Sequence, residues 1–294
     1  MFFLPGASPT QSKSAPMEQK HDIRWYEEVD STNNEMIRLS ERLDNLSVIA
    51  AVFQTGGRGQ RGNKWHSCRG ENLTFSILLR FGIPSDTDPR YCSPLPAADQ
   101  FKISELATIA QCRFLERNGI KDARIKWPND IYVSDRKISG MLVENSLSGK
   151  HVRTSVVGIG LNVNQTVFPD WLPNPVSMAI ITGMKYNTEE LLSGFMDVFR
   201  EKLTAGLADG GGLKDEYESL MYRRGTESEF ADLSSRPAYL PANPLVTGTG
   251  TGIKADGTVF RGTITGITDS GLLSVRLENG SVKHFGFKEI AYII

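Results

Sequence analysis

The 294-residue chain has only three cysteines, Cys68, Cys92 and Cys112, and four histidines, His21, His66, His151 and His284, all dispersed. An odd, scattered cysteine set gives neither a disulfide framework nor a zinc spacing, and fits a reducing compartment, so a cytoplasmic location is expected. Isolated histidines argue against a transition-metal site built by the protein. Cys68 and His66 stand two residues apart with no orienting acid nearby, which speaks against a thiol nucleophile. Net charge is lacking too. With 33 basic against 34 acidic side chains, no global field draws nucleic acid or an anionic membrane. No apolar run approaches the length of a membrane span. The opening MFFLPGASPTQSKSAP has no cationic start and too short an apolar stretch for a signal peptide. Residues 1–21 are therefore expected to form a disordered tail, with Met17 as an alternative initiator. The apolar fraction of 39% is enough for a substantial core.

What is present is local. In GGRGQRGNKWHS, Gly56 to Ser67, Arg58, Arg61 and Lys64 sit on a backbone freed repeatedly by glycine, and no acid interrupts the basic stretch through Arg69. Such a loop can bring backbone N–H groups close to a ligand, while the arginines add planar forks suited to phosphate oxygens. A solvated basic loop is the bland reading. A P-loop is excluded, because Gly62 is followed by Asn63, Lys64 and Trp65 rather than by Lys and then Ser or Thr.

Periodicity places the loop between two strands, Ser47 to Gln54 and Leu73 to Arg80. A strand at Ile23 to Val29 precedes a helix capped by Asp30 and Ser31 and running to about Arg42, with Met36, Leu39 and Leu43 facing the core. A core helix carrying Leu106, Ile109, Ala110 and Phe114 ends near Gly119. Strands follow at Ala123 to Lys126, Ile131 to Val133, Lys137 to Asn145 and His151 to Asn164, with turns at Ser134 to Arg136 and Ser146 to Lys150. A long amphipathic helix holds Leu191 to Leu203, and Gly210 to Gly212 separates it from another reaching about Tyr222. Residues 231–246, rich in Ser and Pro, read as a linker or an inserted loop. Beyond them, alternation and the Asp256-Gly257 and Asn279-Gly280 dipeptides predict hairpins with two-residue turns, in a small SH3-like barrel over 247–294. The fold class is α+β, a mixed or antiparallel sheet with packed helices.

Four blocks, DSTN at Asp30 to Asn33, the Gly/Arg loop, KWPND at Lys126 to Asp130 with RKISGMLVE at Arg136 to Glu144, and VGIGLNVN at Val157 to Asn164, resemble in order the signature of biotin protein ligases. The resemblance implies a class II synthetase-like catalytic domain over 22–230 and a C-terminal SH3-like domain. The type expected is the one without an N-terminal DNA-binding segment, since no helix-turn-helix is read ahead of the domain. It further implies ATP, biotin and Mg2+, the metal carried by the ATP phosphates near Asp130. The implied partner is a biotin carboxyl carrier protein or domain, with the enzyme a monomer or homodimer and with no role for nucleic acid or membrane.

On this resemblance Ser31, Thr32, Asn33 and Gln54 match positions that hydrogen-bond the biotin head group, although a plain helix cap competes for Ser31 and Thr32. Arg58 and Gly59 match ligand contacts, Arg61 is a further phosphate candidate, and Gln60 replaces an arginine common in the family, removing a charge. Trp65 matches the aromatic that covers adenine or the activated ligand. Lys126 would reach the phosphates, with Asn129 and Asp130 close by; Asp130 could orient Lys126, bind Mg2+ or deprotonate the incoming amine. Lys137 would meet the biotin carboxylate, Gly140 would permit close approach, and Gly158, Gly160 and Asn162 would read the adenine. The competing readings are a lipoate ligase or lipoyl transferase, and a non-catalytic RNA-binding module.

Overall fold

The computed structural model describes residues 21–82, 93–208, 212–234 and 258–294. Its larger sheet contains strands β1 (Ile23–Val29), β2 (Val48–Gln54), β3 (Leu73–Arg80), β4 (Leu95–Pro96), β5 (Ala123–Lys126), β6 (Asp130–Val133), β7 (Arg136–Ser148) and β8 (His151–Leu161). The order is β1-β2-β3-β8-β7-β6-β5, with β4 pairing β8 at one side. Only the β1–β2 pair is parallel, so the sheet is mixed. β3 is buried along nearly its whole length, because helices cover both faces of its sheet.

On one face lies α1 (Thr32–Leu39), whose Met36 packs with Leu43, Ile49, Leu78 and Val156. On the other lie α2 (Phe101–Arg117) and α4 (Thr188–Ala208), locked to the sheet by edge-on contacts of Phe195 with Phe75 at 5.1 Å and with Phe114 at 5.5 Å. Two short helices, α3 (Met178–Thr182) and α5 (Leu213–Ser219), complete this layer. No helix among the described residues is long and apolar enough to cross a membrane.

A second, five-stranded antiparallel sheet follows the order β12-β11-β10-β9-β13, from β9 (Glu227–Asp232), β10 (Thr258–Ile267), β11 (Leu273–Leu277), β12 (Val282–Phe285) and β13 (Ile290–Tyr292). It is the SH3-like part of an α+β molecule. Its Phe230, Ile264, Leu273 and Phe285 join the same buried cluster as the main core.

Several boundaries move. β9 opens the second sheet at Glu227, upstream of the expected limit at 230, because it pairs with both β10 and β13. The linker expected over 231–246 therefore starts on strand residues; its remainder from 235, and the Asp256-Gly257 turn, lie outside the described residues. The first helix stops at Leu39 and continues as a 3-10 turn, Ser40–Arg42. β7 runs on to Ser148, leaving Gly149 at φ +58° to make the turn. α5 ends at Ser219, where the chain turns to pair with β5: Leu220 O accepts from Ile125 N–H and Tyr222 N–H donates to Ile125 O. The Asn279-Gly280 hairpin is one residue longer than expected. Leu277 N–H donates to Ser281 O, Gly280 N–H donates back to Leu277 O, and Gly280 takes the left-handed conformation of a three-residue loop.

Candidate active site

The start of α1 supplies one end of a cleft. Ser31 has extended backbone angles and is nearly buried, yet its hydroxyl makes no capping bond, so the plain-cap reading fails for it. Gln54 Oε1 instead caps the helix start, accepting from Thr32 N–H at 2.7 Å and from Thr32 Oγ1 at 3.2 Å. That fixes the Gln54 amide and leaves its NH2 as a donor. Ser76, fully buried on β3, lies 2.8 Å from Thr32 Oγ1 and donates to Asn33 Oδ1 at 2.6 Å. Asn33 Nδ2 donates in turn to Glu144 Oε2 at 2.8 Å and to Leu142 O at 3.3 Å. Short polar side chains are thus held at set angles by partners from β2, β3 and β7. Gly158 on β8 makes room for them, because a Cβ there would stand 1.9 Å from Asn33 Oδ1.

The Gly/Arg segment is a narrow loop whose legs are tied together. Gly59 N–H donates to Asn63 O at 2.7 Å, Trp65 N–H donates to Gly57 O at 3.0 Å, and Arg58 bridges Lys64. Gly57 is required by close approach, since a Cβ would come within 2.5 Å of Trp65 O. The tip is a 3-10 turn, Gln60–Gly62, with Gly62 at φ +84°. Arg61 belongs to this turn, and its side chain lies outside what the structure describes. Arg58 reaches across to β7, where its guanidinium pairs with Glu144 at 2.6 Å. The Trp65 indole lies flat on strand β8; a Cβ on Gly160 would stand 2.3 Å from its Cε2, and its buried Nε1–H has no partner among the described residues.

Opposite the loop, Lys137 Nζ lies 2.7 Å from Asp130 Oδ1 and 5.8 Å from the Trp65 ring. A bulge between β6 and β7 sets this side chain, because two steps on β7 oppose one on β6. The Lys137 backbone is clamped by Asn174 and Val176 through bonds of 2.7 and 2.9 Å. Gly140 leaves space where a Cβ would lie 3.1 Å from Lys137 Nζ and 3.2 Å from Asp130 Oδ1. Asn129 is buried and donates to Met141 O, which fixes the turn that follows the cis peptide between Trp127 and Pro128.

Ser31, Thr32, Asn33, Gln54, Arg58, Gly59, Gln60, Trp65, Asn129, Asp130, Lys137, Gly140, Gly158 and Gly160 together line a single cavity of about 170 Å3. Of the expected residues whose side chains are described, two do not. Lys126 leaves the cleft: its ammonium lies 3.1 Å from Tyr132 Oη, 4.6 Å from the Tyr132 ring centre and 5.1 Å from that of Tyr292. Burial among these rings pushes it down to about 8. Asn162 also lies behind the site. Its amide donates to Val176 O at 3.0 Å and to Lys137 O at 3.4 Å, supporting the Lys137 backbone rather than facing the cavity.

Asn63, Lys64, Trp127, Pro128, Met141, Leu142 and Ile159, which lie inside the sequence blocks without being assigned to the wall, and Phe287 from the second sheet complete it. Trp127 and Pro128 belong to the KWPND block, so their position was within reach of the sequence; Phe287 carries no local signal. Among the described residues no group of three or more His, Cys, Asp or Glu could hold a metal ion. Asp130 is thus a lone carboxylate in the cleft wall. It fits a Mg2+ that arrives on phosphates with most of its shell already filled.

Known proteins resemble this chain over most of its length. Residues 25–162 match the model of the biotin/lipoate A/B protein ligase family, and residues 251–290 match that of the biotin protein ligase C-terminal domain. The chain is 29% identical over 257 residues to the biotin–acetyl-CoA-carboxylase ligase of Paracoccus denitrificans, covering 84% of this chain and 91% of that protein. It is 28% identical over 244 residues to the bifunctional ligase/repressor BirA of Bacillus spizizenii, covering 81% of this chain. The match spans 63% of that repressor's length, and 48% and 39% of its counterparts from Bacillus subtilis and Escherichia coli. Among solved structures, the biotin protein ligase from Aquifex aeolicus in complex with biotin and ATP superposes with a TM-score of 0.65 at 25% identity. That match covers 92% of this chain and 97% of the other.

Proposed function

This chain belongs to the biotin protein ligase family, and on that premise we propose that it activates biotin with ATP and transfers it to a lysine of a biotin carboxyl carrier protein. The observation that carries this reading is the convergence of four sequence-distant blocks on one cavity, whose lining holds both neutral polar side chains and the cations Arg58 and Lys137.

In the first half-reaction the biotin carboxylate oxygen attacks the α-phosphorus of ATP, the bond to the bridging oxygen breaks, and pyrophosphate leaves. In the second, the carrier's amine attacks the acyl carbonyl, loses a proton, and AMP departs. Neither half needs an enzyme nucleophile. The protein's part is alignment and charge neutralisation. Thr32, Asn33 and Gln54, fixed by Ser76 and Glu144, offer a preset array to the neutral ureido ring. Lys137 and Arg58 supply positive charge where the carboxylate and α-phosphate meet. Trp65, whose N–H has no partner among the described residues, covers the adenylate side. Mg2+, when carried by ATP, supplies further neutralisation of phosphate charge beside Asp130. For the amine's proton, the described cavity wall offers one carboxylate, Asp130.

A lipoyl chain calls for a longer apolar tunnel and less polar recognition of its head, and the polar array at the start of α1 disfavours it. The deciding experiment incubates the protein with ATP, Mg2+ and either biotin or lipoate, then follows pyrophosphate release and acyl transfer to a carrier domain. Turnover with biotin supports the proposal. Turnover with lipoate alone selects a lipoate ligase, and none with either points to a binding module.

A further inference from the structure

Glu144 stands in mid-strand on β7, outside the cavity lining, yet it touches two residues that line it. Its Oε1 accepts from Arg58 Nη2 at 2.6 Å, and its Oε2 accepts from Arg58 Nη1 at 3.2 Å and from Asn33 Nδ2 at 2.8 Å. Arg58 Nη1 gives its other proton to Asn34 Oδ1 at 2.6 Å. A guanidinium carries five N–H donors arranged on distinct edges. Here the end-on edge is taken by Glu144, and the remaining Nη1 proton by Asn34. The side-on edge, made of Nε–H and the second Nη2 proton, donates to no described residue. That edge is a parallel two-donor fork, the geometry that grips two oxygens of a carboxylate or phosphoryl group.

Resting on the ligase reading, we infer that Glu144 is a positioning residue: it holds Arg58 end-on so that the side-on edge of the guanidinium receives the anionic oxygens of the reacting ligand. Because the same carboxylate holds Asn33, it also ties the head-group end of the cleft to the Gly/Arg loop. Asn33 cannot turn its amide to compensate, since Ser76 fixes the oxygen side. The pair differs from an ordinary surface ion pair in three respects. It is bidentate, it has a third partner on each member, and both side chains are partly shielded, at 39% and 27% exposure.

The test is a double-mutant cycle on the full chain with Glu144→Gln, Arg58→Gln and both, reading KM for biotin and kcat by pyrophosphate release, with thermal melting as a folding control. Glu144→Gln keeps the shape but breaks the two-oxygen grip. It is expected to raise the KM for biotin about tenfold or more, with kcat changed by less than about threefold. The double variant should be no worse than Arg58→Gln alone, because the substituted amide keeps an oxygen to accept from Asn33 and only the action through Arg58 is lost. Glu144→Asp, which keeps the charge but withdraws it by one methylene, should fall between, and it serves if Glu144→Gln melts early. A wild-type KM in Glu144→Gln, or effects that multiply in the double variant, would overturn the assignment while leaving the ligase reading intact. Absence of biotin turnover in the wild type would remove both.

Discussion

Lys137 is the residue on which the charge balance of the cleft turns. Its ammonium is already compensated by Asp130 at 2.7 Å, its backbone is clamped by the 174–176 segment, and Gly140 keeps a Cβ out of its way. A cation held this firmly loses little entropy when it meets a developing negative charge. Lys137→Ala is expected to lower biotin-dependent kcat/KM by about a hundredfold or more while the melting temperature stays within a few degrees. Steady-state kinetics set beside a thermal melt check this, and unchanged kinetics would take Lys137 out of the site. Lys126 behaves differently. Burial depresses its pKa from 10.5 to about 8, so between those values the unfolded chain holds a proton that the folded chain has released. Stability from this group therefore rises with pH from about 8 to about 10.5, and the full cost of the buried ammonium is present below 8. That cost is at most about 3 kcal/mol, and the flanking tyrosine rings offset part of it. Lys126→Met should melt no lower than wild type at pH 7, and the difference between the two should shift in favour of wild type as pH rises to 10. A variant markedly less stable at pH 7 would mean that the ring contacts outweigh burial.

At the scale of elements, the site depends on strands that approach side chains without Cβ atoms of their own. Gly160 sits inside β8, paired with Gly140 on one side and Thr74 on the other, so its backbone cannot yield. Gly160→Ala would thrust a methyl group to 2.3 Å from the Trp65 indole, and the ring must leave the strand. A displacement of that size at a reacting centre costs roughly a hundredfold in turnover, whereas the sheet's hydrogen bonds are unaffected. Kinetics and circular dichroism on the variant separate the two, and normal turnover would show that Trp65 is not a wall of the reacting site.

The same elements explain what the sequence made legible. β1 and β3 fall on their expected bounds because each stretch of strand-forming residues is closed by polar or glycine-containing turns. Arg58, Asp130 and Lys137 were recognisable because each lies in a short block with unusual composition. Lys126 and Asn162 belong to the same blocks, yet on β5 and at the end of β8 their side chains point to the second sheet and to the 174–176 segment. A motif gives neighbours along the chain, not the face on which each side chain emerges. Ser76 carried no signal at all, and Glu144 closes the RKISGMLVE block without a role being read for it. They are ordinary strand residues whose importance arises from partners 43 and 111 positions away.

For the whole molecule, the second sheet is part of the cleft rather than an appendage. Phe287 lines the cavity, its ring meets Trp127 edge-on at 6.4 Å, and the Trp127 indole N–H donates to Gly271 O at 2.9 Å. Gly271 is held in turn against Phe101 of α2, where a Cβ would stand 2.3 Å from the ring, and its φ of +84° favours glycine. Trp127 therefore links the turn that carries Asn129 and Asp130 to the hairpin between β10 and β11. Trp127→Phe keeps most of the aromatic bulk but strips the donor from a buried carbonyl, a loss of about 1–3 kcal/mol. Because the lost bond spans the two sheets, the expected outcome is faster amide exchange around residues 268–273 and 285–290, with the larger sheet's core unchanged. The turn holding Asp130 loosens with it, so kcat/KM should fall about tenfold, more through substrate binding than through the chemical step. If exchange in the second sheet rises while kinetics stay at the wild-type level, the sheet is a cover for apolar surface only. If both move together, Phe287 and Trp127 form the wall that closes the cleft.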